Sequence, residues 1–243
     1  MPATDVDIAA ITLDLDDTLW PIAPVIARAE ERLDAWLKMQ CPRAAAAYPV
    51  AAMRELRERV AADNPHLAHD FSAQRQLSLR HVLIPHGYGE THVEAAYAEY
   101  FAARNEVECY ADALPALERL AARYPLVSVS NGNADLRRIG LDRFFRFSIS
   151  ARECGVGKPS PAIFRAACEG LNLPAQAVLH VGDDAELDVA GAHAAGMRSV
   201  WVNRSGAPWI GANPPHFSVR NLHELADRLL LPTAETTESQ VLA

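Results

Sequence analysis

The sequence predicts an α/β protein: a doubly wound, mostly parallel sheet with an α-helical module inserted after the first strand. Three observations carry this. A short apolar run, Ile8 to Leu13, stops at three carboxylates, Asp14, Asp16 and Asp17. From Asp112 onward, short β-favouring runs alternate with amphipathic stretches, the pattern of parallel βαβ units. Between the two regions lies an alanine-rich stretch, residues 22–106, with charges at helical spacing and few strand-like runs.

The first run reads as a strand buried on both faces, because it is continuously apolar rather than alternating. Burying its three following carboxylates together would be costly. They therefore belong where the strand ends and the chain opens to solvent, the edge at which open α/β sheets bind ligands. Clustered acids there point to a cation, a reacting electrophile, or both.

Four helices are predicted next, over about 22–40, 49–62, 71–85 and 91–105. Val25, Ile26, Ala29, Leu33, Trp36 and Leu37 share one face of the first. Pro42, Asn64-Pro65 and His86-Gly87-Tyr88-Gly89 punctuate them. So long an excursion exceeds one crossover and predicts a discontinuous core, 1–20 and 109–231, around a helical cap, 21–108, with a frayed polar tail at 232–243. A helix over 112–122 then places Leu114, Leu117 and Leu120 on one face, before a strand at Leu126–Ser130. A helix at 133–139 stops at Gly140, and a strand follows at 145–150. Ser160 and Pro161 supply the N-cap and first position of a helix reaching Gly170. The remainder reads as a strand at 177–182, a helix at 185–195 ending at Gly196, a strand at 199–203 and a helix at 221–230.

Half the residues are hydrophobic and 22% are charged, the balance of a soluble globular protein. A net charge of −8 with no Lys/Arg block argues against nucleic-acid binding. Cys41, Cys109, Cys154 and Cys168 are scattered without metal-ligand spacing, so a reducing, cytoplasmic setting is expected. No signal peptide and no membrane partner are expected, since no apolar run is long enough to span a bilayer. The sequence sets no oligomeric state.

Each predicted strand of interest ends in polar residues: Asp14 and Asp16; Ser130 and Asn131; and Asp183, followed by Asp184 and Asp188. Lys158 lies in Gly155-Val156-Gly157-Lys158-Pro159, just before the helix capped by Ser160. No Ser or Thr directly follows the lysine, so this is not a nucleotide P-loop. A cation in this set would offset the repulsion among the clustered acids at short range.

Asp14-Leu15-Asp16-Asp17-Thr18-Leu19-Trp20, the Ser130 strand end, Lys158-Pro159 and Gly182-Asp183-Asp184 resemble, in order, the four motifs of the haloacid dehalogenase superfamily, most of whose members are phosphatases. An insertion between the first two motifs matches that superfamily's helical cap. The resemblance implies Asp14 as nucleophile and Asp16 as general acid and base. It implies Ser130, Asn131 and Lys158 as phosphate-binding groups, and Mg²⁺ held by Asp14, Asp16 (through its backbone carbonyl) and Asp183. Asp184 and Asp188 are the two candidates to support the metal site from behind, the sequence not deciding between them, and Asp184 also reads as a helix N-cap. The dehalogenases of this fold lack an acid two residues after the nucleophile, and a phosphonatase needs a reactive cap lysine. Here Asp16 is present, and the cap's one lysine, Lys38, reads as solvated. Phospho-accepting signalling domains carry their acid pair and acceptor on different strands, so they are disfavoured. The expected substrate is a small phosphorylated metabolite. The resemblance runs nearest to phosphatases acting on FMN and 5-amino-6-(5-phospho-D-ribitylamino)uracil, with phosphoglycolate- or nucleotidase-type phosphatases as the alternative. Trp20, Trp36, Phe71, Tyr97, Tyr100 and Phe101 are the aromatic candidates for contacting a flat leaving group. His66, His69 and His180 read as structural.

Overall fold

The computed structural model describes residues 8–230, so the predicted tail after Pro232 lies outside the described residues. Six parallel strands, β1 (Ala10–Leu13), β2 (Leu126–Ser130), β3 (Phe147–Ser150), β4 (Val178–Gly182), β5 (Arg198–Val202) and β6 (Phe217–Val219), lie in the order β3-β2-β1-β4-β5-β6. The chain winds outward from β1 in one direction and from β4 in the other, so the topological switch point falls between them. Asp14 and Asp183 are the residues that follow these two strands.

Between β1 and β2 the chain forms α1 (Ile22–Gln40), α2 (Pro42–Ala47), α3 (Val50–Asp63), α4 (Phe71–Leu83), α5 (Glu90–Arg104) and α6 (Ala113–Ala121). The first five share an apolar cluster of their own, built on Ala29, Leu33, Leu56, Leu79, Leu83, Val93 and Tyr100. The four long helices match the sequence expectation. The short α2 was not foreseen, being a single alanine-rich turn and a half started by Pro42. α6 buries Ala113, Ala116, Leu117 and Leu120, while Leu114, expected on that face, is exposed.

Beyond β2 come α7 (Leu136–Ile139), α8 (Ala151–Cys154), α9 (Pro161–Leu171), a π-helical turn (Ala185–Ala190) leading into α10 (Gly191–Ala194), and α11 (Leu222–Leu230). α7 is shorter than predicted because the Asp135 carboxylate accepts from the Arg137 and Arg138 N–H groups and starts the helix there. Strand β3 begins at Phe147 because Phe144 and Phe145 close a 3₁₀ turn. Strand β6 was missed: it has three residues at the sheet edge, after a Gly- and Pro-containing loop. Ile11, Leu13, Leu126 and Val181 face one apolar layer with α6 and α11, and Ala10, Val127, Val129 and Val178 face another with α9. Both faces are covered, which is why the strands are continuously apolar. No helix among the described residues is long and apolar enough to cross a membrane.

Ser199 on β5 is fully buried between two histidines. Its hydroxyl meets His193 Nε2 at 2.8 Å and its N–H donates to His216 Nδ1 at 3.1 Å, with the rings 5.2 Å apart. Burial lowers the pKa of both imidazoles, and for His216 the nearby His193 and Arg198 charges add to this. The folded state therefore binds these protons less tightly than the unfolded chain. The resulting stability is present above about pH 6.5, the unfolded value, and is lost as pH falls. Thermal melts across that range should show a falling Tm, with the slope reduced in His216→Gln. An identical slope in the variant would remove His216 as the cause.

Candidate active site

The residues singled out in sequence meet at the carboxyl ends of β1, β2 and β4. Asp14 continues β1 by one residue, its N–H donating to the Val181 carbonyl at 2.9 Å. Asp183 follows β4. The turn after β1 is tight: Leu19 N–H bonds back to the Leu15 carbonyl, and Asp17 adopts a left-handed φ of 58° that Asp tolerates better than most residues. The Asp17 carboxylate then accepts from the Ile22 N–H at 2.9 Å and so satisfies the first turn of α1.

Asp14, Asp183 and Asp188 each offer a carboxylate oxygen, all within 4.8 Å of one another. Lys158 Nζ lies among them, donating to Asp14 Oδ1 at 2.5 Å and to Asp188 Oδ1 at 2.6 Å. Burial raises the pKa of Asp14 well above the usual range, and Asp188 and Asp16 raise it further, against the opposing pull of Lys158. Burial likewise pushes Asp183 up to about 7, helped by the charges of Asp188 and Asp17. For Asp188 burial acts upward too, but Lys158 and His180 outweigh it and hold it ionised. Burial alone would lower the Lys158 pKa; its two carboxylate partners reverse that and keep it charged.

Local sequence sets each position. The Asn131 side chain accepts from the Lys158 N–H at 2.7 Å and donates to the Lys158 carbonyl at 2.9 Å, clamping that backbone from both sides. A Cβ on Gly157 would lie 2.6 Å from Asn131 Oδ1, so the clamp requires glycine there. Asp188 reaches back to the strand ends because the π turn advances it, with the Val189 N–H bonding the Asp184 carbonyl five residues earlier. A Cβ on Gly182 would meet the Asp188 carboxyl at 2.2 Å. Asp184 caps that turn, accepting from Glu186 and Leu187, while its own N–H donates to Asp188 Oδ2. Thr18 Oγ1 donates to Asp183 Oδ1 at 3.2 Å, and Trp201 Nε1 to the Asp183 carbonyl at 2.6 Å.

The Asp16 carboxylate stands apart from the acid cluster. Its Oδ1 accepts from Trp20 Nε1 at 2.8 Å, and Arg104 Nη2 reaches both its oxygens, at 2.8 and 2.7 Å. Its Oδ2 lies directly over Gly132, where a Cβ would sit 2.5 Å away and 3.3 Å from Ser130 Oγ. Ser130 Oγ itself accepts from the Gly132 N–H at 3.0 Å.

A cavity of about 510 Å³ opens above these groups. Its floor is Asp14, Asp16, Ser130, Asn131, Lys158 and Asp183, and its ceiling comes from α1, α3, α4 and α5. Of the aromatic candidates, Phe71 and Tyr100 line it. Trp20 is fully buried behind Asp16, Trp36 packs on the helical cluster, and Tyr97 and Phe101 stack on each other. His66 is exposed, and neither it nor His69 joins a metal-competent group among the described residues. His180 is a core residue as expected, yet it also bridges Thr12 Oγ1 at 2.8 Å and Asp188 at 3.0 Å. Arg104 went unnoticed in the sequence, although it lies four residues after Tyr100 on the buried face of α5.

A family profile described as haloacid dehalogenase-like hydrolase matches residues 8–196. The 5-amino-6-(5-phospho-D-ribitylamino)uracil phosphatase YigB of Escherichia coli (strain K12) is 30% identical over 226 residues, covering 90% of this chain and 94% of that protein. The phosphoserine phosphatase of Thermus thermophilus is 33% identical over 132 residues, 52% of this chain and 53% of its own. Among solved structures, the 2-haloacid dehalogenase from Pseudomonas syringae pv. Tomato DC3000 aligns with a TM-score of 0.86 at 38% identity, covering 91% of this chain and 98% of that one. With the profile spanning residues 8–196 and a relative 30% identical over nearly the whole of both chains, this chain belongs to the haloacid dehalogenase-like hydrolases.

Proposed function

We propose that the chain is a Mg²⁺-dependent phosphomonoester hydrolase working through a phosphorylated Asp14, with residues 21–108 as a cap over the strand tips. The observation that carries this reading is Asp16. A second carboxylate, held by Arg104 and Trp20 over the Gly132–Ser130 pocket, is available for the acid–base work that a phosphate ester's leaving oxygen needs. A haloacid's departing halide needs none. The likeness to a 2-haloacid dehalogenase therefore supports the shared scaffold, and the covalent aspartate step common to both chemistries, more than the substrate.

The donor set fits a magnesium ion, since Asp14 and Asp183 offer hard, closely spaced oxygens and Lys158 bonds only two of the three clustered carboxylates, Asp14 and Asp188. Asp14, Asp183 and the Asp16 backbone carbonyl would hold it, and when bound it supplies the charge neutralisation that lets a carboxylate approach a phosphate. Asp14 attacks phosphorus, the bond to the leaving oxygen breaks, and Asp16 delivers a proton to that oxygen. Asp16 then takes a proton from the water that cleaves the aspartyl-phosphate. Lys158 fixes the direction of Asp14, and the Ser130 hydroxyl with neighbouring backbone N–H groups holds the phosphoryl oxygens.

For the substrate, we favour a small phosphorylated metabolite of the riboflavin route, 5-amino-6-(5-phospho-D-ribitylamino)uracil or FMN. YigB, which matches nearly end to end, carries the first of these in its name. The test is a paired assay. With Mg²⁺ the protein should release phosphate from p-nitrophenyl phosphate and no halide from 2-chloropropionate. EDTA should abolish turnover and added Mg²⁺ restore it. Halide release with no phosphate release would reverse the assignment.

A further inference from the structure

The ceiling of the cavity carries charge and an aromatic surface that the phosphoryl chemistry below does not use. Glu30 on α1 sits between two arginines. Its Oε1 accepts from Arg75 Nη2 at 2.6 Å, and its Oε2 from Arg75 Nη1 at 3.3 Å and Arg57 Nη1 at 3.0 Å. Arg75 is committed: it is buried, bonded twice to Glu30, and lies 4.0 Å over the Tyr100 ring. Arg57 is not. It makes one bond to Glu30, its side chain keeps a quarter of its exposure, and it lines the cavity. Two guanidinium groups against one carboxylate leave the ceiling one positive charge in excess. Burial and the Arg75 charge lower the Arg57 pKa against the pull of Glu30, as expected for a cation short of anionic partners.

Phe71 supplies the second feature. It opens α4 immediately after the N-cap Asp70, and its ring remains 49% exposed while lining the same cavity. On folding, this ring stays about half unburied at the cavity wall. It offers a flat apolar face to whatever fills the space. That space, about 510 Å³, is of the size that holds a drug-sized ligand and far exceeds a phosphoryl group or a two- or three-carbon acid.

We propose that Arg57 and Phe71 are specificity residues that select phosphate esters whose leaving group is a flat ring bearing hydrogen-bond acceptors. Phe71 takes the ring face, and the free N–H groups of Arg57 take carbonyl oxygens or ring nitrogens at its edge. Glu30 and Arg75 fix Arg57 in place. This rests on the phosphatase reading and adds the chemistry of the leaving group.

The experiment uses full-length protein with Mg²⁺ and two esters, FMN and glycerol 2-phosphate, together with binding of riboflavin followed by its fluorescence. Arg57→Gln and Phe71→Ala are suitable variants because both side chains are partly exposed. The expected result is a wild-type preference for FMN. Each variant should lower kcat/KM for FMN by about five- to tenfold, mainly through KM, and weaken riboflavin binding in parallel. Glycerol 2-phosphate turnover should change less than twofold. Equal losses on both esters, or unchanged riboflavin binding, would overturn the proposal while leaving the phosphatase reading intact. Failure of the wild type to hydrolyse FMN would overturn the proposal, and failure on both esters and on p-nitrophenyl phosphate would overturn both.

Discussion

Asp14→Asn should lower kcat for p-nitrophenyl phosphate by about 10⁴-fold or more, the scale on which loss of a covalent nucleophile is felt. The fold should survive, because the change removes charge and almost no volume from a residue that keeps its β1–β4 backbone bond. Stability should hold or rise in metal-free buffer. The raised pKa of Asp14, due first to burial and then to Asp188 and Asp16 against Lys158, means that its charge at neutral pH costs the native state. Asparagine removes that charge, and Lys158 retains Asp188 as partner. Turnover assays with thermal melts of the same samples check both parts. Wild-type kcat in a folded Asp14→Asn protein would exclude Asp14 as nucleophile.

Lys158→Met should be the most damaging change to the fold among the site residues. It keeps the length of the side chain but leaves two buried carboxylates without their cation. Removing one partner of a buried ion pair costs about 3–5 kcal/mol. At ~2–4 °C per kcal/mol for a chain of this size, Tm should fall by about 6–20 °C. Activity should fall by about 10²–10³-fold, since Asp14 loses its orientation and the transferring group a positive charge. The stability loss should shrink at acid pH. Unpaired buried carboxylates bind protons more tightly in the folded state, so lowering the pH favours that state. A Tm within the error of wild type at neutral pH would show that Lys158 does not hold the site together.

Much of this site is legible in the sequence because it sits on strand tips. A buried parallel strand leaves a clear trace, a short apolar run, and the polar residue ending it must lie at the sheet edge. That argument puts Asp14, Ser130 and Asp183 at the edge, while the choice of Ser130 and Lys158 as site residues comes from the resemblance to the superfamily's motifs. The order of their meeting was less legible. Asp188 reaches Lys158 only because a π turn shifts its phase, and no 3.6-residue pattern announces one. Asn131 was expected among the phosphate-binding groups, and nothing in the sequence announced that its side chain clamps the Lys158 backbone, a contact that depends on Gly157 having no Cβ. Arg104, Glu30, Arg57 and Arg75 are charged residues on helices, where the default reading is a solvated face. What overrides it is the packing of α1, α3, α4 and α5 against one another, which periodicity within a single helix cannot reveal. Trp20 shows the converse: an aromatic just after the clustered acids invites a stacking role, while its indole is spent inside the core as a donor to Asp16.

The mass of the Asp14-containing peptide, after acid quench of the enzyme turning over p-nitrophenyl phosphate in heavy-oxygen water, tests the central claim most directly. Attack of water on phosphorus leaves the Asp14 carboxylate oxygens untouched. The peptide should therefore gain one phosphoryl group and, once dephosphorylated, carry no heavy oxygen. Heavy oxygen in the Asp14 carboxylate would mean that water attacks the aspartyl carbonyl carbon instead of phosphorus. Steady turnover of p-nitrophenyl phosphate with the phosphoryl adduct absent from the Asp14 peptide, or present on another residue, would contradict the account.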